Sequence, residues 1–311
     1  MTGSALAAAR PHRRRGIQIL AAVVAVLLLA ALTRWAAASP RAPQPYLDAA
    51  HPLILAHQGA SAYAPSNTIP SFGKALELGA DVLELDVHLT RDGAIVVAHD
   101  DTVDRLTDGT GRICDFALAD LQKLDAGYRF TPDGGATYPY RGQGIYIPTL
   151  EEVFRTFPQA RVNIEIKEGD QPIAGPLADL IHSMGKTKQV LVASVYSDAI
   201  NAFRKAAPDV ATSASKNEIL SLVVQWKLGL GFQYHAPADA LQIPYETRES
   251  SGIDLAREGL IRVAHGRNVK VHYWTVDDPQ EMRRLLALGA DGLITDKPDV
   301  ALDVMRAMGL R

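Results

Sequence analysis

Residues 82–100 read VLELDVHLTRDGAIVVAHD, and the turn in the middle of this stretch decides the architecture. VLELDVHL is a strand-like run, and Arg91-Asp92-Gly93 is a tight-turn signal leading straight into AIVVAHD. Parallel neighbours need a crossover of a dozen or more residues, so this connection makes an antiparallel hairpin. The hairpin rises above its strand and returns, which carries His99 back to where the strand ends. Within the first arm Glu84 and Asp86 are two apart and so point to one face. Two carboxylates on an apolar strand are costly unless something positive lies between them.

Outside the hairpin, short apolar runs alternate with helical patterns. Strands are expected at 53–57, 82–86, 162–166, 190–194, 210–214, 241–243, 271–276 and 292–295. Helical spacing lies between them, for instance at 68–79, 149–157, 197–207 and 279–289. Alternating strand and helix argues for a parallel sheet, and eight such units argue for an α/β fold closed as a (β/α)8 TIM barrel. Residues 100–148, rich in Gly, Asp, Tyr and Pro, lack periodicity and read as a small insertion after strand 2.

Active sites of such barrels lie at the C-terminal ends of the strands. The residues expected there are His57, the pair Glu84 and Asp86, then Glu165, Lys167 and Trp274. Three carboxylates without a zinc-spaced cysteine or histidine set suit a hard, oxygen-preferring cation, Ca2+ or Mg2+. Each residue also has a structural reading: an arginine could neutralise the acidic pair, and His57 or His99 could be a satisfied core histidine. Taken together the set fits phosphate-ester chemistry, with one histidine as base, the other as acid and Lys167 against developing charge.

The composition of the 311-residue chain, 47% hydrophobic with a formal charge of −3, gives no reason to expect a nucleic-acid partner. The average conceals two parts. Residues 1–50 hold six arginines and one acid, a net of +5, which leaves −8 for the rest. After Arg10, Arg13, Arg14 and Arg15, the run Ile17 to Leu32 has Gln18 as its one polar residue. Residues 1–38 are therefore expected to be a membrane signal anchor, or a signal peptide cleaved near Ala36-Ala37-Ala38. The positive-inside rule places the catalytic part outside the cytoplasm, on the cell membrane or secreted. The Pro-rich stretch 39–52 reads as a linker to a domain over 53–311. Residues 218–234 read as a barrel helix and loop, or as a lip facing a membrane. The single cysteine, Cys114, excludes an intramolecular disulfide.

The stretches HQGASAYAPSNTIPSF, GADVLELDVHLTRDGAIVVAHDDTVDRLTDGTG, VNIEIK, HYWTVDD and GADGLITDKP, in order over about 53–300, resemble the glycerophosphodiester phosphodiesterases. The resemblance implies a TIM barrel of the phospholipase-C-like phosphodiesterase type. It implies His57 and His99 as the acid/base pair, Glu84, Asp86 and Glu165 as ligands of one divalent cation, and Lys167, Trp274 and Gln58 as substrate contacts. The implied reaction releases sn-glycerol 3-phosphate and an alcohol after attack by the substrate's own hydroxyl. The family usually reads HRG and PENT where this chain has HQG and PSNT, so Gln58 and Ser66 stand where an arginine and a glutamate are usual. Losing both ends of an ion pair costs less than losing one. Lys167 or Arg141 is the expected compensating cation. Two other readings stay open: lysophospholipase D-type action on lysophospholipids, and a catalytically silent phosphodiester-binding protein.

Overall fold

The computed structural model describes residues 10–37, 40–169, 172–250 and 252–311, with side chains throughout except at 10–15, 31, 32 and 34–37. The arginine cluster before the apolar run and the Ala36-Ala37-Ala38 cleavage motif lie outside the described side chains.

The strands are β1 (Leu53–Ala56), β2 (Val82–Leu89), β3 (Ile95–Val97), β4 (Arg161–Ile166), β5 (Val190–Ala193), β6 (Ala211–Thr212), β7 (Ala240–Pro244), β8 (Lys270–Trp274) and β9 (Gly292–Thr295). Eight of them pair in parallel in the order β6-β5-β4-β2-β1-β9-β8-β7, and the bridge Ser213↔Ala240 joins the two ends. The exception is β3, which pairs antiparallel with β2 through Val87↔Val97 and Leu89↔Ile95, as the turn at 91–93 requires. The expected (β/α)8 barrel is therefore present. Its helices are α1 (Arg10–Ala37), α2 (Ile69–Glu77), α3 (Leu118–Leu121), α4 (Leu150–Thr156), α5 (Ala174–Ser183), α6 (Ser197–Ala206), α7 (Lys216–Lys227), α8 (Glu258–His265), α9 (Pro279–Ala287) and α10 (Pro298–Ala307).

Outward-facing strand residues pack against the helices in two clusters. Leu83, Leu85 and Val87 of β2 meet Phe72, Phe154 and Phe203, while Val271 and Tyr273 of β8 meet Leu260, Leu285 and Met305. The insertion after β3 carries a small core of its own, in which Val103, Ile113, Leu121 and Ile147 cover Val96.

The N-terminal face of the barrel overturns one expectation. The stretch 39–52 was expected to be a linker, but within it Tyr46 and Leu47 are buried to 1% and 8% exposure. They close the barrel floor against Leu53, Leu55, Val82, Ala240 and Ile294. The prolines favour this: Pro45 opens the short 3-10 turn Pro45–Leu47 that turns both side chains into the lumen. Upstream, Arg41 is fastened to the same rim by Asp239 (2.6 Å) and by the carbonyl of Ala236 (3.2 Å).

Asp239 belongs to a series. Asp81, Asp239 and Asp291 each precede a strand and accept a backbone N–H from the neighbouring strand: Ile54, Thr212 and Val271 respectively, all at 2.9 Å. Each also meets a cation, namely Arg311, Arg41 or Lys270. Burial works against ionisation of Asp291, but hydrogen bonds from His265, Lys270 and the Val271 N–H outweigh it and hold the carboxyl at about 2.

Among the described residues no helix is long and apolar enough to cross a membrane. The expected membrane-spanning anchor is thus not supported by the structure. Residues 218–234 form α7 and the 3-10 turn Gly231–Gln233, a barrel helix and its loop.

If Tyr46 is part of the core, Tyr46→Ala should cost about 3–5 kcal/mol in denaturant unfolding, the range for large aromatic truncations. Tyr46→Phe removes only a hydroxyl without a hydrogen-bond partner among the described residues, and should change stability by less than about 1 kcal/mol. A harmless Tyr46→Ala would restore the linker reading.

Candidate active site

Parallel strands bring their C-terminal ends to one rim, and Glu84, Asp86, Glu165, Lys167 and His57 meet there. Pairing of β2 with β4 sets Asp86 opposite Glu165 and Glu84 opposite Asn163. One oxygen from each of Glu84, Asp86 and Glu165 falls within 4.8 Å of the others. Lys167, two residues beyond Glu165 on the same face, reaches Glu165 at 2.9 Å and Asp86 at 3.1 Å. Burial opposes its charge, but the carboxylates of Asp86 and Glu165 keep the ammonium protonated well above its usual range.

Burial and the adjoining charge of Asp86 push the Glu84 carboxyl strongly up. The Gln58 backbone N–H, which donates to Glu84 Oε2 at 2.9 Å, only partly offsets them. Gln58 delivers that N–H from a left-handed conformation, φ 53°. Asn67 Nδ2 donates to Asp86 Oδ2 at 3.0 Å, and Asp86 Oδ1 is the oxygen that the Lys167 ammonium approaches at 3.1 Å. Three crowded acids that share one ammonium, with Glu84 still held up, are short of positive charge. A divalent cation supplies it, so the donor set fits a hard metal ion. Among the described residues no arginine neutralises Glu84 and Asp86; the cation beside Asp86 is Lys167.

Both histidines are held in the same way. His57 Nδ1 lies 2.7 Å from Asp296 Oδ1, and Ser61 Oγ donates to that oxygen at 2.7 Å. His99 Nδ1 lies 2.7 Å from Asp100 Oδ1, and Arg105 Nε donates to the other oxygen at 2.6 Å. A carboxylate on Nδ1 fixes the ring and leaves Nε2 as the nitrogen that can exchange a proton. Burial lowers the pKa of His57, but the Asp296 hydrogen bond and the charges of Glu84, Asp296 and Asp86 overcome it and raise the imidazole to about 9. The Gln58 amide lies 3.4 Å from His57 Nε2, and either end of that amide can pair with the ring as its proton comes and goes.

Beneath His99 is a second pair. His88, buried on the same face of β2 as Glu84 and Asp86, points Nδ1 at Glu168 Oε1 (2.9 Å) and Nε2 at the His99 carbonyl (3.2 Å). Two acceptors on one ring select the imidazolium. Burial disfavours that charge, but Glu168 outweighs it and raises the pKa. The pair ties β2 and the segment after β4 to the returning arm of the hairpin.

Sequence reasoning did not find Asp296, Asp100, His88, Glu168, Asn67 or Ser61. Two carried a signal, since Asp100 and Asp296 stand in the quoted HD and TD dipeptides. Trp274 ends β8, is half-buried and packs on the lumen cluster at the rim. Ser66 is buried in the loop whose next residue, Asn67, donates its N–H to the Gln58 carbonyl. Arg141 does not compensate for Gln58. Its guanidinium is stacked on Tyr138 (3.8 Å) and Tyr128 (4.2 Å), and its Nε donates to the Tyr128 carbonyl.

Comparison with known proteins agrees with this geometry. Residues 57–300 match the glycerophosphoryl diester phosphodiesterase family. A glycerophosphodiester phosphodiesterase of Caldanaerobacter subterraneus is 36% identical over 83% of this chain and 99% of its own length. The crystal structure of an Agrobacterium tumefaciens glycerophosphodiester phosphodiesterase aligns with TM-score 0.66 at 26% identity, covering 81% of this chain and 99% of that one. An Oleispira antarctica phosphodiesterase in complex with the product sn-glycerol-3-phosphate aligns with TM-score 0.64 at 25% identity, covering 82% and 97%.

The Asp296 bond to His57 yields a pH prediction. Asp296→Asn removes the carboxylate that favours the imidazolium, so the His57 pKa should fall from about 9 toward its ordinary value. An NMR titration of the His57 ring measures the shift, and an unchanged midpoint would show that Asp296 does not tune the ring.

Proposed function

The chain belongs to the glycerophosphoryl diester phosphodiesterase family, and from that premise we propose how its rim residues divide the work of phosphodiester hydrolysis. It is an enzyme, a glycerophosphodiester phosphodiesterase. The carrying observation is the cluster of three carboxylates with His57 beside it, together with the aspartate that holds each of the two imidazoles.

Glu84, Asp86 and Glu165 would hold one Ca2+ or Mg2+, which polarises the phosphoryl oxygens and offsets the carboxylate charge. The products are sn-glycerol 3-phosphate and an alcohol. In the first stage the substrate's glycerol hydroxyl attacks phosphorus and gives its proton to His99 Nε2. His57, whose imidazolium form the Asp296 hydrogen bond favours, gives its Nε2 proton to the leaving alcohol oxygen. The new P–O bond closes a cyclic phosphate as the bond to the alcohol breaks. In the second stage water attacks, His57 takes its proton, and His99 returns a proton to the glycerol oxygen, which restores both rings. Lys167 steadies the negative charge on the phosphate, and Trp274 walls the substrate. Gln58 supports Glu84 through its backbone and pairs with His57 through its amide.

For location, the reading is a cell-membrane enzyme, anchored by residues 1–38 with its catalytic domain outside the cytoplasm. The arginine cluster preceding the apolar stretch of α1 supports this orientation.

The test is a panel of glycerophosphodiesters assayed with Ca2+, Mg2+ and chelator, with release of sn-glycerol 3-phosphate as the readout. His57→Ala and His99→Ala should each lower kcat by roughly 10²–10⁴-fold. Glu84→Gln or Asp86→Asn should abolish both activity and cation binding by calorimetry. Normal turnover in any of these variants contradicts the assignment. Restoring Gln58→Arg together with Ser66→Glu should lower KM more than Gln58→Arg alone, because an unpaired buried guanidinium is penalised. Simple additivity would rule out that coupling.

A further inference from the structure

The N-terminal face, opposite the catalytic rim, carries an apolar surface that the reaction does not use. The last described residue of α1 is Ala37, and Arg41 is already fastened to the barrel floor. Besides Asp239 and Ala236, it donates its backbone N–H to the Arg267 carbonyl (3.0 Å), and its own carbonyl accepts from Asn268 Nδ2 (2.9 Å). Residues 236–239 precede β7 and 267–268 precede β8, so all these contacts lie at the N-terminal ends of strands. Four residues of chain reach at most about 14 Å. The helix end is therefore held close beneath the floor.

On α1, Ile17, Ile19, Leu20, Val23, Val24 and Val26–Leu29 are 46–67% exposed, so over residues 17–29 apolar side chains face outward on every side. On α7, Leu220, Val224 and Leu228 are exposed at four-residue intervals and share one face. That helix runs from the rim back to the floor, as every helix following a barrel strand must. Its stripe continues into Leu230 and Phe232, and the turn Gly231–Gln233 lies against α1. The exposed apolar surface thus gathers at the floor and runs on into α1. A helix apolar on every side is stable only where lipid or protein surrounds it, and no described part of this chain does so. The arginines at 10 and 13–15 suit anionic headgroups at the helix's far end.

We infer that α1 and the stripe of α7 dock a lipid bilayer, so that the barrel stands on its N-terminal face with its catalytic mouth turned away from the lipid. The substrate is then a water-soluble, deacylated glycerophosphodiester, not a lysophospholipid whose acyl chain remains in that bilayer. This rests on the phosphodiesterase reading above and narrows its substrate. The lipid and the carboxylate site lie at opposite ends of the barrel, so a lysolipid has to leave the bilayer entirely before its phosphate reaches Glu84 and Asp86. The same placement rules out residues 218–234 as a lip at the mouth.

The test uses the full chain with vesicles of phosphatidylethanolamine and phosphatidylglycerol carrying a headgroup-labelled acceptor lipid. In a Cys114→Ser background, donor dyes are placed at the floor by Phe232→Cys, or at the exposed insertion by Ala136→Cys. Energy transfer to lipid should be strong from 232 and lost from 136. Equal transfer, stronger transfer from 136, or no vesicle binding would overturn the docking. On the same vesicles, glycerophosphocholine in the bulk should be hydrolysed at least ~100-fold faster than lysophosphatidylcholine held in the bilayer, because every buried methylene opposes extraction. Comparable rates would overturn the substrate assignment and leave the phosphodiesterase reading intact. If neither substrate releases glycerol phosphate, that reading itself fails, while the transfer data still decide the orientation.

Discussion

Three carboxylates must lie within 4.8 Å of one another at the end of an apolar lumen, and the rest of the molecule answers to that constraint. At an effective dielectric near 20, each pair of such charges repels by about 3 kcal/mol, before the cost of burial. The chain relieves this locally with the Lys167 ammonium between Asp86 and Glu165, the Gln58 N–H on Glu84 and the Asn67 amide on Asp86. The relief is incomplete, as the raised Glu84 carboxyl shows. An arrangement that stays short of positive charge after its own hydrogen bonds are made is poised for a cation and an anionic phosphate together.

The two ends of the barrel are specialised in opposite ways. At the rim the polar groups are crowded and short of positive charge, which suits chemistry. At the floor the charges are settled. Asp81, Asp239 and Asp291 each satisfy a backbone N–H on an adjacent strand and a nearby cation, and Tyr46 with Leu47 seals the lumen below. The hairpin of β2 and β3 belongs to the rim, where His88 and Glu168 lock the arm that presents His99.

Much of this was legible in the chain. Strand periodicity located β9 at Gly292–Thr295 and β5 within one residue, because buried parallel strands are short, continuous apolar runs. The two-residue spacings Glu84/Asp86 and Glu165/Lys167 gave the shared faces, since alternation along a strand is local geometry. The linker reading of 39–52 failed for a corresponding reason: nothing in a Pro-rich stretch indicates whether a lumen waits to receive its Tyr46 and Leu47. Arg141 looked available by charge, but two tyrosines that only the folded insertion assembles had already claimed it.

By itself, then, the sequence determined the barrel, the hairpin, the carboxylates and the two histidines, because these follow from periodicity, turn chemistry and short spacings. Tertiary structure alone decided their partners. Asp296 meets His57 across 239 residues of chain, and Glu168 meets His88 across 80. It also decided which face carries the N-terminal segment, through the union of Arg41 with Asp239 across 198 residues. Such pairings depend on which strands become neighbours when the barrel closes, and closure is a property of the whole sheet that no local stretch encodes.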